Sequence, residues 1–214
     1  MITGIHSSIF SNAVLTDDTD VLNDIHQSNK NIAILRRTIP DLKEDILQLL
    51  HQDIEIRVSG SLEEIVEHLA NSSILKETIP IYKDILNVLK LFQTIIPCAS
   101  YRLFIGTVSS NMCRKFHTDI NSLRLLCTYS GPGTLWVPED YLDRKQLTAK
   151  SSNEDIVTDP AFIQQVDTGH IAILKGAVYP KEGTKAIVHR SPTIEESGQK
   201  RLLLRIDTNA IFDF

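Results

Sequence analysis

Apolar residues recur at helical spacing in three segments of the first 96 residues. Two of these segments, residues 42–50 and 62–69, have one apolar and one polar face, and Asp41 and Ser61 precede them as candidate N-caps. The third segment, residues 85–96, is apolar over most of its surface, which predicts a helix buried against a sheet. Residues 31–36 are extended in character and predict an early strand.

The pattern changes near Pro97, after which short apolar segments are separated by glycine and proline. Each segment predicts a strand: Tyr101–Val108, Leu123–Tyr129, Thr134–Val137, Gly169–Lys175, Ala186–His189 and Arg201–Asp207. Short strands of this kind favour a sandwich or barrel of the jelly-roll type. The polar residues 149–158 are predicted to be a mobile excursion. We therefore expect one α+β domain over residues 1–214, with a mainly helical part (1–96) packed on a β-core (97–214).

The composition is that of an ordinary globular protein, with 42% apolar and 23% charged residues in a chain of 214. This length is sufficient for one domain with a substantial core. The net charge of −5 offers no field that would attract a polyanion, so we expect no nucleic-acid partner. The oligomeric state is left open by the sequence.

The cysteines and the N-terminus favour a cytoplasmic protein. Cys98, Cys113 and Cys127 are odd in number and form no Cys-x-x-Cys pair, which is typical of a reducing compartment. The first residues lack a basic stretch followed by an apolar core, so we expect no signal peptide. No apolar run approaches the length that spans a bilayer, and we expect no membrane partner.

A His-x-Asp pair, His117 and Asp119, is the first candidate for chemistry. Residues two apart on an extended segment point to the same side, so both side chains face one site. His189, which closes a later predicted strand, supplies a second imidazole. Two histidines and one carboxylate leave about three coordination positions open on Fe(II), as in non-haem iron oxygenases. The alternative is that these are unrelated surface or core side chains.

Two arginines follow on the last predicted strand. Arg201 and Arg205 are four residues apart and share one face, while Leu202 and Leu204 share the other. A guanidinium binds a carboxylate through two parallel hydrogen bonds, which suits a keto-diacid such as 2-oxoglutarate beside the metal. Arg124, after the His-x-Asp segment, is a third candidate. An exposed basic strand face that pairs with acidic loops is the alternative.

Three further residues are candidates for the site. The hydroxyl of Tyr129 is a candidate donor to a cosubstrate carboxylate, although core packing is the commoner role of a strand tyrosine. Cys113 and His170 are candidates for the fourth ligand of a closed zinc site. Their alternative is ordinary packing.

Four segments together resemble an uncharacterised bacterial family, the domain of unknown function 1826 family. They are residues 116–119, 123–138, 169–176 and 188–192, and the resemblance covers roughly residues 95–208. That family has no established activity, and the gene neighbourhoods of its members imply a link with zinc supply.

The same segments are similar to the 2-oxoglutarate/Fe(II)-dependent dioxygenase superfamily. This similarity implies a double-stranded β-helix, which is a jelly-roll or cupin-like core. It implies that His117, Asp119 and His189 bind Fe(II) and that Arg201 binds 2-oxoglutarate, with Arg205 matching an extra arginine of some members. No segment matches a substrate-binding motif, so a small molecule, a peptide and another protein are all open as substrates.

Three hypotheses follow from these residues. The first is an Fe(II)- and 2-oxoglutarate-dependent oxygenase, most simply a hydroxylase. The second is a non-catalytic metal-binding protein, such as a zinc-handling cupin that uses the same ligands. The third is a jelly-roll interaction domain that binds no metal.

Overall fold

The computed structural model describes residues 10–39, 41–148 and 150–208, which form ten strands and five α-helices. The strands are β1 (Ala13–Thr16), β2 (Ile32–Leu35), β3 (Glu55–Gly60), β4 (Tyr101–Val108), β5 (Leu123–Ser130), β6 (Leu135–Trp136), β7 (Gln164–Gln165), β8 (Ile171–Lys175), β9 (His189–Arg190) and β10 (Arg201–Thr208). The helices are α1 (Lys43–His51), α2 (Leu62–Asn71), α3 (Ser73–Glu77), α4 (Ile79–Ile95) and α5 (Asn153–Ile156). Short 3-10 helices lie at Asp20–His26, Glu139–Tyr141, Arg144–Gln146, Pro160–Phe162 and Glu195–Ser197.

The strands of the described ranges form two sheets. The large sheet has seven strands in the order β1-β2-β8-β5-β10-β4-β3, and the small sheet has the order β7-β6-β9. Neighbouring strands are antiparallel, except that β1 and β2 are parallel. The prediction of a mixed α+β fold is confirmed.

The central strands of the large sheet are buried on both faces. One face, called here the helix face, packs on the helices through the apolar residues Leu103, Ile105, Leu125, Cys127, Ile173, Leu202, Leu204 and Ile206. The other, called the inner face, packs on the small sheet through Phe104, Leu126, Ala172, Leu174 and Leu203, which surround Trp136. Because side chains alternate along a strand, residues next to each other in sequence belong to different cores.

Helices α1 and α2 begin and end close to where the sequence predicts them. Ser61 is the N-cap of α2, and its hydroxyl accepts a bond from the Glu64 amide while the Glu64 carboxylate accepts one from the Ser61 amide. Asp41 is not the N-cap of α1; Leu42 occupies that position. The apolar α4 starts at Ile79, earlier than predicted. Among the described helices, none has both the length and the apolar character needed to cross a membrane.

Two parts of the chain differ from their sequence prediction. The first 96 residues contribute β1 and β3 as well as the predicted β2, and all three strands join the large sheet. The segment predicted as mobile instead forms α5, and Ile156 and Val157 are buried in a small third core. Ala149 lies outside the described residues. The correction matters because this third core supports the segment that carries His117.

Candidate metal centre

His117 and His189 lie side by side on two antiparallel segments. The backbone N–H of each residue donates to the carbonyl oxygen of the other, at 3.0 Å in both directions. Residues directly opposite in an antiparallel pair point to the same side. Their rings are accordingly 4.7 Å apart between centroids. Backbone pairing thus places the two imidazoles together although they are far apart in sequence.

Asp119 completes the cluster. Its carboxylate oxygens lie 3.5 Å from Nε2 of His117 and 3.2 Å from Nε2 of His189, and all three ligand atoms lie within 4.8 Å of one another. The Nδ1 atoms are directed at the backbone carbonyls of Lys115 and Ile187, at 2.9 and 3.4 Å. A ring that donates from Nδ1 presents the lone pair of Nε2, which is the tautomer that binds a metal.

Arg124 holds the Asp119 carboxylate in place. From the inner face of β5, its guanidinium donates through Nη1 to Asp119 and through Nε and Nη2 to Asp207. Burial would raise the pKa of Asp119, but its contacts with the two histidines and the charge of Arg124 lower that pKa well below its usual range. The hydrogen bond to Asp119 in turn raises the pKa of His117. Asp119 is therefore an anion at neutral pH, as a metal ligand must be.

Asn153 fixes the start of the His-x-Asp segment, a role that the sequence does not suggest. Its side-chain oxygen accepts from the backbone N–H of Phe116 at 2.8 Å, and its amide donates to the carbonyl of Arg114 at 3.0 Å. Phe116 is buried with Val137, Ile156, Val157 and Val188. The capping box between Ser152 and Asp155 is the sequence signal that marks this short helix.

The other end of the His-x-Asp segment packs on the end of β8. The backbone N–H of Ala177 donates to the carbonyl of Asp119 at 2.8 Å. A Cβ on Gly176 would lie 2.1 Å from the backbone oxygen of Asn121, so only glycine permits this approach. Asn121 also donates to Asp207 at 3.0 Å, which links the segment to β10.

Arg201 is a buried cation at neutral pH. Its residue is 1% exposed, and burial lowers the pKa of its guanidinium to about 10. Nη2 donates to the hydroxyl of Thr128 at 3.0 Å, whereas Nε is buried without an acceptor. Within the described part of the chain it forms no ion pair. A buried charge without a counterion is costly, and Arg201 lines the same cavity as His117 and His189, so the site suits an incoming carboxylate.

Arg205 faces the same cavity and lies four residues after Arg201 on β10. It is less available than Arg201, because its Nε lies 3.3 Å from a carboxylate oxygen of Asp207. Its guanidinium lies over the ring of Phe104, 5.5 Å from the centroid. Of the three predicted arginines, Arg124 is held by two carboxylates, Arg205 is partly neutralised and Arg201 is unpaired among the described residues.

Tyr129 lies on the helix face, so its predicted role at the cosubstrate is corrected. Its hydroxyl donates to Asp84 of α4 at 2.7 Å. Asp84 also accepts two bonds from Arg37, at 2.7 and 2.8 Å. The physical reason is strand alternation, because Tyr129 and Arg124 are an odd number of residues apart and point to opposite faces of β5.

Cys113 and His170 do not belong to the cluster. Cys113 is exposed and lines the cavity. Nδ1 of His170 lies 3.7 Å from Asp167. Among the residues that the structure describes, His117, Asp119 and His189 are the one group of three or more potential ligands. Three protein ligands are typical of a site that keeps a position for a small molecule.

The cavity between the cluster and Arg201 is small, with a volume of about 50 Å³. That volume holds a few water molecules. Its apolar wall includes Leu126 and Leu203, and the half-exposed Met112 also lines it. A larger anion therefore requires the exposed lining side chains to move.

The whole of this arrangement falls inside one family match. The model of the family described as "Protein of unknown function (DUF1826)" matches residues 16–207. The chain belongs to this family. The match includes the helices of the first 96 residues as well as the site. No curated protein shows detectable sequence similarity to this DUF1826 protein.

Several solved structures resemble the DUF1826 protein at low sequence identity. The dioxygenase for auxin oxidation 1 from Arabidopsis thaliana, as its binary complex with 2-oxoglutarate, is 10% identical, with 91% of each chain covered and a TM-score of 0.49. A putative oxygenase from Shewanella oneidensis is 13% identical, with 91% and 88% covered and a TM-score of 0.47. A prolyl-4-hydroxylase from Pseudomonas putida is 10% identical, with 88% and 96% covered and a TM-score of 0.44. At these sequence identities and TM-scores, the function of the DUF1826 protein has to be inferred from its own side chains.

Proposed function

We propose that this protein is an Fe(II)- and 2-oxoglutarate-dependent oxygenase, most simply a hydroxylase, built on a double-stranded β-helix. The observation that carries the proposal is the unpaired, buried guanidinium of Arg201 in the same cavity as His117 and His189. A metal-binding cluster alone fits many proteins. A cluster beside a buried cation that has no counterion among the described residues fits a metal with an anionic co-ligand.

The donor set fits ferrous iron. Nε2 of His117, Nε2 of His189 and one oxygen of Asp119 would hold the ion, and the open side would accept cosubstrate and oxygen. Carbonyl groups hold both rings in the required tautomer, and Arg124 binds the second carboxylate oxygen. Outer contacts of this kind orient the ligands and keep them in their charged or neutral binding form.

Arg201 would bind the distal carboxylate of 2-oxoglutarate, and Thr128 would position the guanidinium. Iron and 2-oxoglutarate together would supply the oxidation: substrate R–H, dioxygen and 2-oxoglutarate give R–OH, succinate and carbon dioxide. One atom of the dioxygen enters R–OH and the other enters succinate. The apolar wall of Leu126 and Leu203 would exclude water from the reacting centre. The protein residues themselves orient the metal and the cosubstrate, exclude water from the cavity and neutralise the charge of the cosubstrate carboxylate.

The substrate class and the setting remain part of the proposal. We expect a small molecule or a protein as substrate in the cytoplasm, without nucleic acid or membrane as partner.

The test is reconstitution with Fe(II) under anaerobic conditions, followed by measurement of succinate formed from 2-oxoglutarate in air. His117→Ala should abolish succinate formation, because one metal ligand is lost. His68→Ala, on the exposed surface of α2, is the matched control and should behave like the wild type. Succinate formation that persists in His117→Ala would refute the proposal. Zinc held tightly by the purified protein, without an effect of 2-oxoglutarate, would instead favour the zinc-handling alternative.

A further inference from the structure

A second arginine-rich feature lies beside the metal centre, in a groove on the inner face of β3, β4 and β10. Arg57, Arg102 and Arg205 line it, together with Phe104, and its volume is about 230 Å³. Register explains the grouping, because Phe104 pairs with Arg57 on one side and with Arg205 on the other, and Arg102 is two residues from Phe104. We call this feature the arginine groove.

The groove carries more positive than negative charge. Arg57 pairs with Glu55 at 2.7 Å, but both side chains are more than half exposed, so this pair is weak. Arg205 approaches Asp207, whose oxygens already accept bonds from Arg124 and Asn121.

Arg102 is the most telling member of the groove. In the described part of the chain it forms no ion pair, and its Nε is buried without an acceptor. A buried donor without a partner costs free energy, and an anion in the groove would supply the missing acceptor.

Phe104 organises two of the guanidinium groups. Those of Arg57 and Arg205 lie over its ring, 4.5 and 5.5 Å from the centroid. A guanidinium that rests on an aromatic face keeps its N–H groups directed sideways, where they can bind the oxygens of an anion. The ring thus acts as a platform that leaves the donors of both arginines accessible.

The arginine groove and the metal cavity are neighbours, because Arg205 lines both of them. Arg201 belongs to the metal cavity alone. The two arginine sites are therefore distinct, and the arginine groove is the larger, at about 230 Å³ against about 50 Å³ for the metal cavity.

We propose that the arginine groove binds the phosphate group of a small phosphorylated substrate and thereby presents the rest of that molecule to the metal. This assignment rests on the proposed oxygenase function. Three guanidiniums around one cavity match the charge and the oxygen atoms of a phosphate monoester better than those of a single carboxylate. The net charge of −5 disfavours a nucleic acid as the source of the phosphate.

The test compares two probes that share a phenyl ring, phenyl phosphate and benzoate, titrated into metal-free protein at low ionic strength by isothermal calorimetry. Phenyl phosphate should bind the wild type, and Arg57→Gln and Arg102→Gln should each weaken it about tenfold, roughly the value of one charged hydrogen-bonding group. Arg36→Gln is the matched control, since Arg36 pairs with Asp17 beyond β2, towards the opposite edge of the large sheet. It should bind phenyl phosphate like the wild type.

Three results would contradict the proposal: no binding of phenyl phosphate to the wild type, equal binding in the groove variants, or benzoate binding that Arg57→Gln and Arg102→Gln weaken as much as they weaken phenyl phosphate binding. Arg57 is exposed, so its replacement tests the groove without endangering the fold. Because the titration uses metal-free protein, it is independent of turnover. If the groove arginines are needed for phenyl phosphate binding but the protein makes no succinate, the anion site stands and the oxygenase proposal is wrong.

Discussion

Arg124 binds the carboxylate of Asp119, the same group that faces both site histidines. The guanidinium reaches Asp119 from β5 and anchors its other side on the buried Asp207. Arg124 is therefore a positioning residue for the metal ligand, and its donors are already used.

Arg124→Gln should weaken metal binding about 10- to 100-fold, the usual cost of losing such a contact to a ligand. The affinity is measured by competition with a chelator, and circular dichroism confirms the fold. Arg36→Gln, which removes an exposed arginine from a surface ion pair, serves as the control. Wild-type metal affinity in folded Arg124→Gln would show that the contact does not position Asp119.

Arg201→Met should separate stability from binding. Methionine removes a buried charge that has no counterion among the described residues, so we expect the free energy of unfolding to rise by about 1 kcal/mol or more. The same change should abolish 2-oxoglutarate binding. Trp136, the one tryptophan of the chain, pairs with His189 and reports binding by its fluorescence. A destabilised variant that still binds 2-oxoglutarate would contradict both expectations.

Tyr129→Phe should change stability and leave the site intact. The hydroxyl bonds Asp84 on the helix face, so its loss should cost about 1 kcal/mol in urea unfolding. Affinity for 2-oxoglutarate should be unchanged, because the large sheet separates this hydroxyl from the metal cavity. A clear loss of that affinity would show that the Tyr129 hydroxyl contributes to 2-oxoglutarate binding.

The cysteines should differ in reactivity with iodoacetamide. Burial raises the pKa of Cys127 to about 11, so at about pH 8 only about a thousandth of this thiol is ionised, and it is also shielded from reagent. We expect peptide mass spectrometry to find Cys113 modified first and Cys127 modified far more slowly unless the protein is unfolded. The Cys127 rate should rise as the pH approaches 11. Protection of Cys113 by added Zn(II) would indicate a fourth ligand and contradict the three-ligand cluster.

Alternation along single strands could be predicted from the sequence. Arg201 and Arg205 lie on the inner face while Leu202 and Leu204 lie on the helix face, as their spacing indicates. The order of residues also indicated that His117, Asp119 and His189 would meet. What alternation does not give is which face of a strand is the inner one. Arg124 and Tyr129 were both candidates although they must face opposite sides.

Contacts between distant segments could not be predicted in this way. β3 has exposed residues at alternate positions and lies at the sheet edge, so it carries little apolar signal. Its pairing with β4 creates the arginine groove, which is invisible in either strand alone. Asn153 supports Phe116 from a polar segment in which neither helical nor strand periodicity is present. Such roles depend on contacts between segments that are distant in sequence, which local pattern does not encode.

The reciprocal backbone bonds between His117 and His189 have a consequence for exchange of the ion. Backbone hydrogen bonds, and not the metal ion, keep these two segments in register, so the ligand arrangement exists before the metal binds. Little conformational entropy is then lost on loading. The protein should survive repeated stripping and refilling without unfolding, unlike a zinc finger, whose fold is lost with its metal.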